Sequence, residues 1–176
     1  MMTLLYILGG VAILLIVLAI VAPKSARVER NVVVNVSPQA AFQQLKSWKV
    51  FVDWSPWTEQ DPNLDFGFKG RDGEVGSQYW WKGNKKVGEG EMEIVKLDPH
   101  ETILMELRFL KPFKATNAAW FKVSPEGDGA RVSWGFEAEF KLPLNIFMLF
   151  MSLDKSVGKD FERGLNRFKN IVESAA

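Results

Sequence analysis

The chain has 176 residues, 47% of them apolar and 24% charged, which suits one globular domain with an appendage. Its 22 Lys and Arg against 21 Asp and Glu leave a net charge of +1, and no basic stretch interleaved with aromatics appears, so no nucleic-acid partner is expected. The absence of cysteine excludes disulfides and thiolate zinc sites, and with one histidine a metal site would need a carboxylate cluster, which the sequence does not show, so neither metal nor other cofactor is expected.

The first element is an uncharged run over residues 3–22, mostly Leu, Ile, Val and Ala. As a helix it would reach about 30 Å, the thickness of a bilayer core, and it is expected to be a single-pass anchor. The rival is a cleaved signal peptide. That reading lacks a Lys or Arg ahead of the apolar run, and Pro23 obstructs the best small-residue cleavage point, after Ala22. Lys24, Arg27 and Arg30 all follow the run, so the positive-inside rule puts the following domain in the cytoplasm. The expected organisation is an anchor over residues 1–24 and a domain over residues 25–176.

Residues 27–36 alternate through Val28, Val32, Val34 and Val36 and predict a first strand. Ser37-Pro38 is a helix start, a capping serine followed by proline at the first helical position. It opens a short helix to Ser47 that buries Ala41, Phe42 and Leu45. Residues 48–54 continue as a second short helix or turn, which must end before Pro56. The cluster Trp54-Ser55-Pro56-Trp57 follows, then a polar loop over residues 58–63. Six strands are predicted next, over 64–69, 77–82, 87–96, 103–110, 115–123 and 131–140, each bounded by Gly, Pro, Asn or Asp turn signals. Every strand has one apolar and one charged face, as an antiparallel sheet with one wet side requires. The last element spans residues 144–172. Ile146, Phe150, Leu153, Val157, Phe161, Leu165, Phe168 and Val172 recur at steps of three and four, one stripe of a helix about 40 Å long if unbroken. Gly158 and Gly164 are the positions where it could bend. The fold class is therefore α+β: a seven-stranded curved antiparallel sheet wrapped on a long C-terminal helix.

Several stretches, in order, resemble the START-like or SRPBCC superfamily, and within it the polyketide cyclase/dehydrase and lipid-transport branch. They are Val28-Glu29-Arg30, Ser37-Pro38 with Phe42, Trp54-Ser55-Pro56-Trp57, Asp61-Pro62-Asn63, Trp81-Lys82-Gly83-Asn84 and Gly88-Glu89-Gly90. Further along come Lys111-Pro112-Phe113, the turn from Pro125 to Gly129, and residues 151–165 with Asp154-Lys155 and Gly158-Lys159-Asp160-Phe161. The resemblance covers residues 27–172. It implies the helix-grip fold and a cavity between the concave sheet and the last helix.

The inward set by strand and helix parity supplies the candidate lining: Trp54, Trp57, Phe66, Phe68, Tyr79, Trp81, Met92, Met105, Leu107, Phe109, Asn117, Phe121, Trp134, Phe136, Phe147, Phe150 and Met151. Alternation alone does not separate a lined cavity from a filled core, because large aromatics also pack well against one another. The run Phe147, Met148, Phe150 and Met151 is either buried on two sides or an adaptable gate. Inward polar residues are few: Tyr79, Asn117, Ser77 and Arg30. None forms a recognisable acid–base pair, and no nucleophile elbow or phosphate loop is present. The expected function is binding or transport of a hydrophobic small molecule, lipid or isoprenoid-like, held near the membrane. Two alternatives stand beside it: a cyclase or dehydratase acting on a hydrophobic polyketide-type substrate, and a co-chaperone-like interaction module with a closed interior. Catalytic residues are not assigned, and the oligomeric state is left open.

Overall fold

The computed structural model describes residues 2–174, with the side chains of Leu4, Leu5 and Leu144 outside the description. Thirteen elements follow one another. Helix α1 is Met2–Val21 and strand β1 is Ser25–Val34. Three short helices follow, α2 (Pro38–Leu45), α3 (Trp48–Trp54) and α4 (Pro56–Gln60). Then come β2 (Asp65–Lys69), β3 (Gln78–Lys82), β4 (Glu89–Asp98), β5 (Thr102–Lys111), β6 (Ala115–Glu126) and β7 (Gly129–Glu139). A 3-10 helix, Leu144–Leu149, leads to the last helix, α5 (Leu153–Ser174).

All seven strands form one antiparallel sheet in the order β1-β7-β6-β5-β4-β3-β2. It is a meander whose first strand returns to pair with the last. Three directly opposed pairs, Gly67 with Trp80, Gly90 with Trp81 and Gly135 with Trp120, set an indole over a glycine on the neighbouring strand. A Cβ on Gly67 would stand 2.8 Å from the Trp80 ring, and one on Gly90 would stand 2.5 Å from that of Trp81. The missing side chains let large rings lie flat on the pleat and cover backbone that glycine leaves bare. On the convex face the Trp120 Nε1–H donates to Glu29 (3.0 Å) and Arg27 lies 4.6 Å from the ring centroid. Trp120 is thus buried on the outer surface, an amphipathic ring roofed by charged side chains.

The short helices close one end of the sheet. Ser37 Oγ accepts from Ala40 N (3.2 Å) with Pro38 at the first helical position, and Ser47 Oγ caps α3 by accepting from Val50 N (3.3 Å). Asp72, from the β2–β3 turn, accepts from Trp48 N and Ser47 Oγ, both at 2.7 Å. Trp48, Phe51 and Trp54 of α3 thereby point into the space under the sheet, each at most 1% exposed.

Helix α5 lies along β1 and presents Gly158, Phe161, Gly164, Leu165, Phe168 and Val172 to the sheet. Arg30 clasps its first half, donating to Asp154 (2.8 Å) and Glu162 (2.7 Å). Its guanidinium occupies the space where a side chain at residue 158 would stand, and its pKa is driven further up by the two carboxylates. At the far end Lys169 Nζ donates to Val33 O (2.9 Å) and Glu173 accepts from Asn35 N (2.7 Å).

Three expectations are corrected. The terminal helix does not run unbroken from residue 144. The 3-10 turn ends at Leu149, residues 150–152 are non-helical, and α5 begins at Leu153. Residues 58–60 are not loop but the end of α4, because Pro56 starts a helix there as well as ending α3. The membrane span is not a finding of the structure: among the described residues no helix is long and apolar enough to cross a membrane. Residues 2–21 form one helix of 20 residues without a charge.

Candidate functional site

The space between sheet and helix divides in two. Toward the α3 end it is filled. Trp54 packs edge-on against Phe51 (4.9 Å), Trp134 (5.1 Å) and Phe168 (5.3 Å), with Phe121 at 5.7 Å. Toward the other end it is hollow. A cavity of about 180 Å³ lies under the concave face.

Three elements build its walls. The sheet supplies Tyr79 and Trp81 from β3, Met92 from β4, Leu107 and Phe109 from β5, Ala119 from β6, and Trp134 and Phe136 from β7. Their two-residue spacing puts them on one face of the pleat. Helix α5 closes the opposite side with Val157 and Phe161. The Phe161 ring lies flat on Trp134 with centroids 4.1 Å apart and planes 9° from parallel. The short helices and turns complete the lining with Phe51, Ser55, Trp57, Leu64, Lys86 and Val87. Ala119 leaves room because its directly opposed neighbours, Met105 and Phe136, flank it on both sides.

Eight of the seventeen residues expected to line a cavity do border it: Trp57, Tyr79, Trp81, Met92, Leu107, Phe109, Trp134 and Phe136. The other nine do not. Trp54, Met105, Asn117 and Phe121 are buried elsewhere under the sheet, and Phe66 and Phe68 sit on the edge strand β2 about a third exposed. Phe147, Phe150 and Met151 face away from the interior at 61%, 80% and 59% exposure. With the helix broken at 150–152, the stripe that starts at Leu153 does not extend back to them. Of the lining residues that were not expected, Ala119 lies in β6 and the others, Leu64 among them, come from outside the strands. Phe51 and Ser55 belong to the short helices, Lys86 and Val87 to the β3–β4 turn, and Val157 and Phe161 to α5. For the last two the helical stripe was itself a signal.

The polar content is sparse. Tyr79 is buried in apolar walls, and that burial pushes its phenol upward, so it is a protonated donor across the physiological range. Ser55 is buried as the residue between α3 and α4. Lys86 is the one exposed residue of the lining and marks the mouth. Arg30 and Ser77, the other polar residues expected inside, are engaged away from the cavity, Arg30 with Asp154 and Glu162, and Ser77 with Trp48 Nε1 (3.2 Å) and Glu74 O (2.7 Å). The arrangement can enclose an apolar group and offer it one or two hydrogen bonds. Its lining holds no carboxylate among the described residues.

A family model described as "Polyketide cyclase / dehydrase and lipid transport" matches residues 25–173. A comparison with curated proteins finds no match. Among solved structures, protein CV1439 from Chromobacterium violaceum superposes with a TM-score of 0.59 at 15% identity, covering 86% of this chain and 98% of its own. The Aha1 dimer from Colwellia psychrerythraea gives 0.59 at 15% identity, covering 84% and 96%. The di-domain ARO/CYC StfQ of the steffimycin biosynthetic pathway gives 0.63 at 14% identity, with 86% of this chain covering 52% of that one. At these identities the likeness is one of fold.

Proposed function

Since the chain belongs to the polyketide cyclase/dehydrase and lipid transport family, we propose that it is a membrane-held binding domain for a small hydrophobic molecule, with α1 as the anchor and residues 25–176 as the receptor. The cavity carries this reading. It is about 180 Å³ in volume, open at one side, and apolar but for Tyr79, Ser55 and Lys86. That is smaller than the roughly 300–1,000 Å³ of drug-sized pockets. A whole lipid does not fit. A compact isoprenoid-like molecule, or one end of an acyl chain, is the matching size. Tyr79 would orient a carbonyl or hydroxyl of the ligand, since its phenol is the protonated donor of the apolar wall. No observation places a second group to relay protons, which favours binding over cyclase chemistry. The family resemblance to a co-chaperone fold does not carry the interaction-module reading, because the interior is hollow rather than closed.

The anchor rests on composition and length. A helix of 20 residues is about 30 Å long, a bilayer core's thickness, and α1 carries no charge. Its described apolar side chains stand 49–71% exposed apart from the last turns, with nothing in the chain covering them. The lysine and arginines after it orient the domain to the cytoplasm.

Native mass spectrometry of the full chain in mild detergent tests the binding reading directly, as does saturable displacement of a fluorescent apolar probe. Binding should be lost in Ala119→Trp, which fills the void, and weakened several-fold in Tyr79→Phe. Saturable binding that Ala119→Trp leaves untouched in a folded protein would place the ligand elsewhere.

A further inference from the structure

The registers of the sheet bring one set of chain segments to one end. Ser25 opposes Glu139, Lys111 opposes Glu89, Glu89 opposes Lys82, and Lys82 opposes Asp65. The β3–β4 turn, the β5–β6 hairpin, the start of β1 and the end of β7 therefore share that end. So does the 3-10 helix, whose Asn145, fully buried, donates through Nδ2 to the Ala19 carbonyl (2.7 Å) and the Ala22 carbonyl (3.2 Å). Asn145 thus caps the last turn of α1 with the segment that leads into α5. Only Pro23 and Lys24 separate Ala22 from β1, a reach of about 10 Å at most.

This end of the domain is apolar and basic at once. Phe113 at the tip of the β5–β6 hairpin is 79% exposed, Phe150 80% and Phe147 61%, with Leu142 and Met151 close behind. Around them stand the exposed lysines Lys24, Lys85, Lys86, Lys111, Lys114 and Lys141. The acidic residues at this end include Asp61, Asp65, Glu89, Glu139 and Asp154, of which Asp61 accepts from Asn84 N (2.6 Å), Lys111 holds Glu89 (2.9 Å) and Arg30 holds Asp154 (2.8 Å). Exposed phenylalanines among lysines are the composition of a surface that meets anionic lipid, apolar rings entering the headgroup boundary and ammonium groups remaining among phosphates. The mouth of the cavity, at Lys86 beside Val87 and Phe109, opens at the same end.

We propose that this end of the sheet docks flat on the lipid bilayer. Phe113, Phe147 and Phe150 enter the interface, and the cavity mouth faces the lipid rather than water. The proposal rests on the anchor and cavity readings and deepens them. It makes the bilayer the reservoir from which an apolar ligand enters without crossing water. It also gives the exposed rings of Phe147 and Phe150 a role that packing does not.

The chain contains no cysteine, so a spin label can be placed at one site at a time. Phe113→Cys and Phe150→Cys carry the label at the proposed surface, and Asp128→Cys carries it in the β6–β7 turn at the opposite end. The full chain is reconstituted into vesicles of phosphatidylcholine with about a third phosphatidylglycerol. Collision rates are measured with oxygen, which concentrates in lipid, and with a water-soluble nickel chelate. The expected result is a ratio of oxygen to nickel collisions several-fold higher at residues 113 and 150 than at 128, falling when phosphatidylglycerol is omitted. Labels at 113 and 150 as open to nickel as that at 128, in protein that floats with the vesicles, would overturn docking while leaving the anchor intact. Failure to float with the vesicles would overturn both. Labels shielded from both reagents would mean a protein covers this surface and would equally overturn the proposal. Lipid contact at both sites without saturable binding of an apolar probe would support docking and sink the cavity reading alone.

Discussion

Phe161 joins the two layers of the domain, and its truncation measures how firmly α5 is held. The side chain is 3% exposed, stacks on Trp134 at 4.1 Å, and meets Phe136 edge-on at 6.0 Å and Trp57 at 6.3 Å. Removing the ring in Phe161→Ala loses about 2–3 kcal/mol of burial. The stacked pair contributes roughly another 1 kcal/mol beyond area. The void then left merges with the existing cavity, and the stiff indoles around it do not collapse into it, so the full cavity cost stands. The total is about 4 kcal/mol, within the range seen for buried Phe→Ala changes. That is a large share of the roughly 5–15 kcal/mol by which domains of this kind are stable. Lys159, one turn off the stripe and exposed, should change stability by no more than about 0.5 kcal/mol when cut to alanine. Denaturant melts of both variants in the same detergent, followed by circular dichroism, give the comparison. A loss below about 1 kcal/mol for Phe161→Ala, or equal small losses for both, would show that α5 is not held to the sheet through this ring.

Gly164→Ala should destabilise by about 1–3 kcal/mol even though alanine is the better helix former, because its Cβ would stand 2.8 Å from the Trp134 ring and 3.1 Å from Pro56. A thermal melt that rises instead would mean the helix rides higher than described. The hydrogen bond from Arg108 holds Glu93 below the usual carboxylate range, and Arg30 does the same for Asp154. In each case the unfolded chain binds the proton first as pH falls, so the stabilisation is complete at neutral pH and is lost through and below the ordinary carboxylate range. Arg108→Met should flatten the acid limb of a stability–pH curve, and an unchanged limb would refute the pairing. The mature chain should retain residues 1–22, and protease added from the external side should not reach the domain. An N-terminus at or after Pro23 counts against the first statement, and external cleavage counts against the second.

The strands were legible because each buries one face, and a two-residue period survives any detail of packing. Glu89, Glu91 and Glu93 against Met92 and Ile94 is the clearest case, and all of them fall where parity puts them up to the bulge that begins at Val95. The same parity does not tell depth along a strand. Phe121 and Trp134 are directly opposed and point the same way, yet Phe121 is packed under Phe51 and Trp54 of α3 while Trp134 also borders the cavity. Nothing in the alternation of a strand records where a helix from another part of the chain will sit. The lining contributed by turns, Lys86 and Val87, is invisible for the same reason.

The C-terminal pattern misled for a different reason. Ile146 and Phe150 fit the helical stripe by spacing, but a stripe is evidence of a helix only where something lies under it. Asn145 instead spends its amide on the carbonyls of Ala19 and Ala22, which ties the 3-10 turn to the end of α1. Phe147 and Phe150, turned out of the sheet by that tie, become exposed apolar surface at the point where α1 leaves the domain. Periodicity assigned them to the inside because it assumes that water is the only alternative to the core. If α1 lies in a bilayer, as proposed, the domain begins three residues from it and a lipid surface is a third environment. Residues that fail to reach the core at that end are the ones to examine for contact with it.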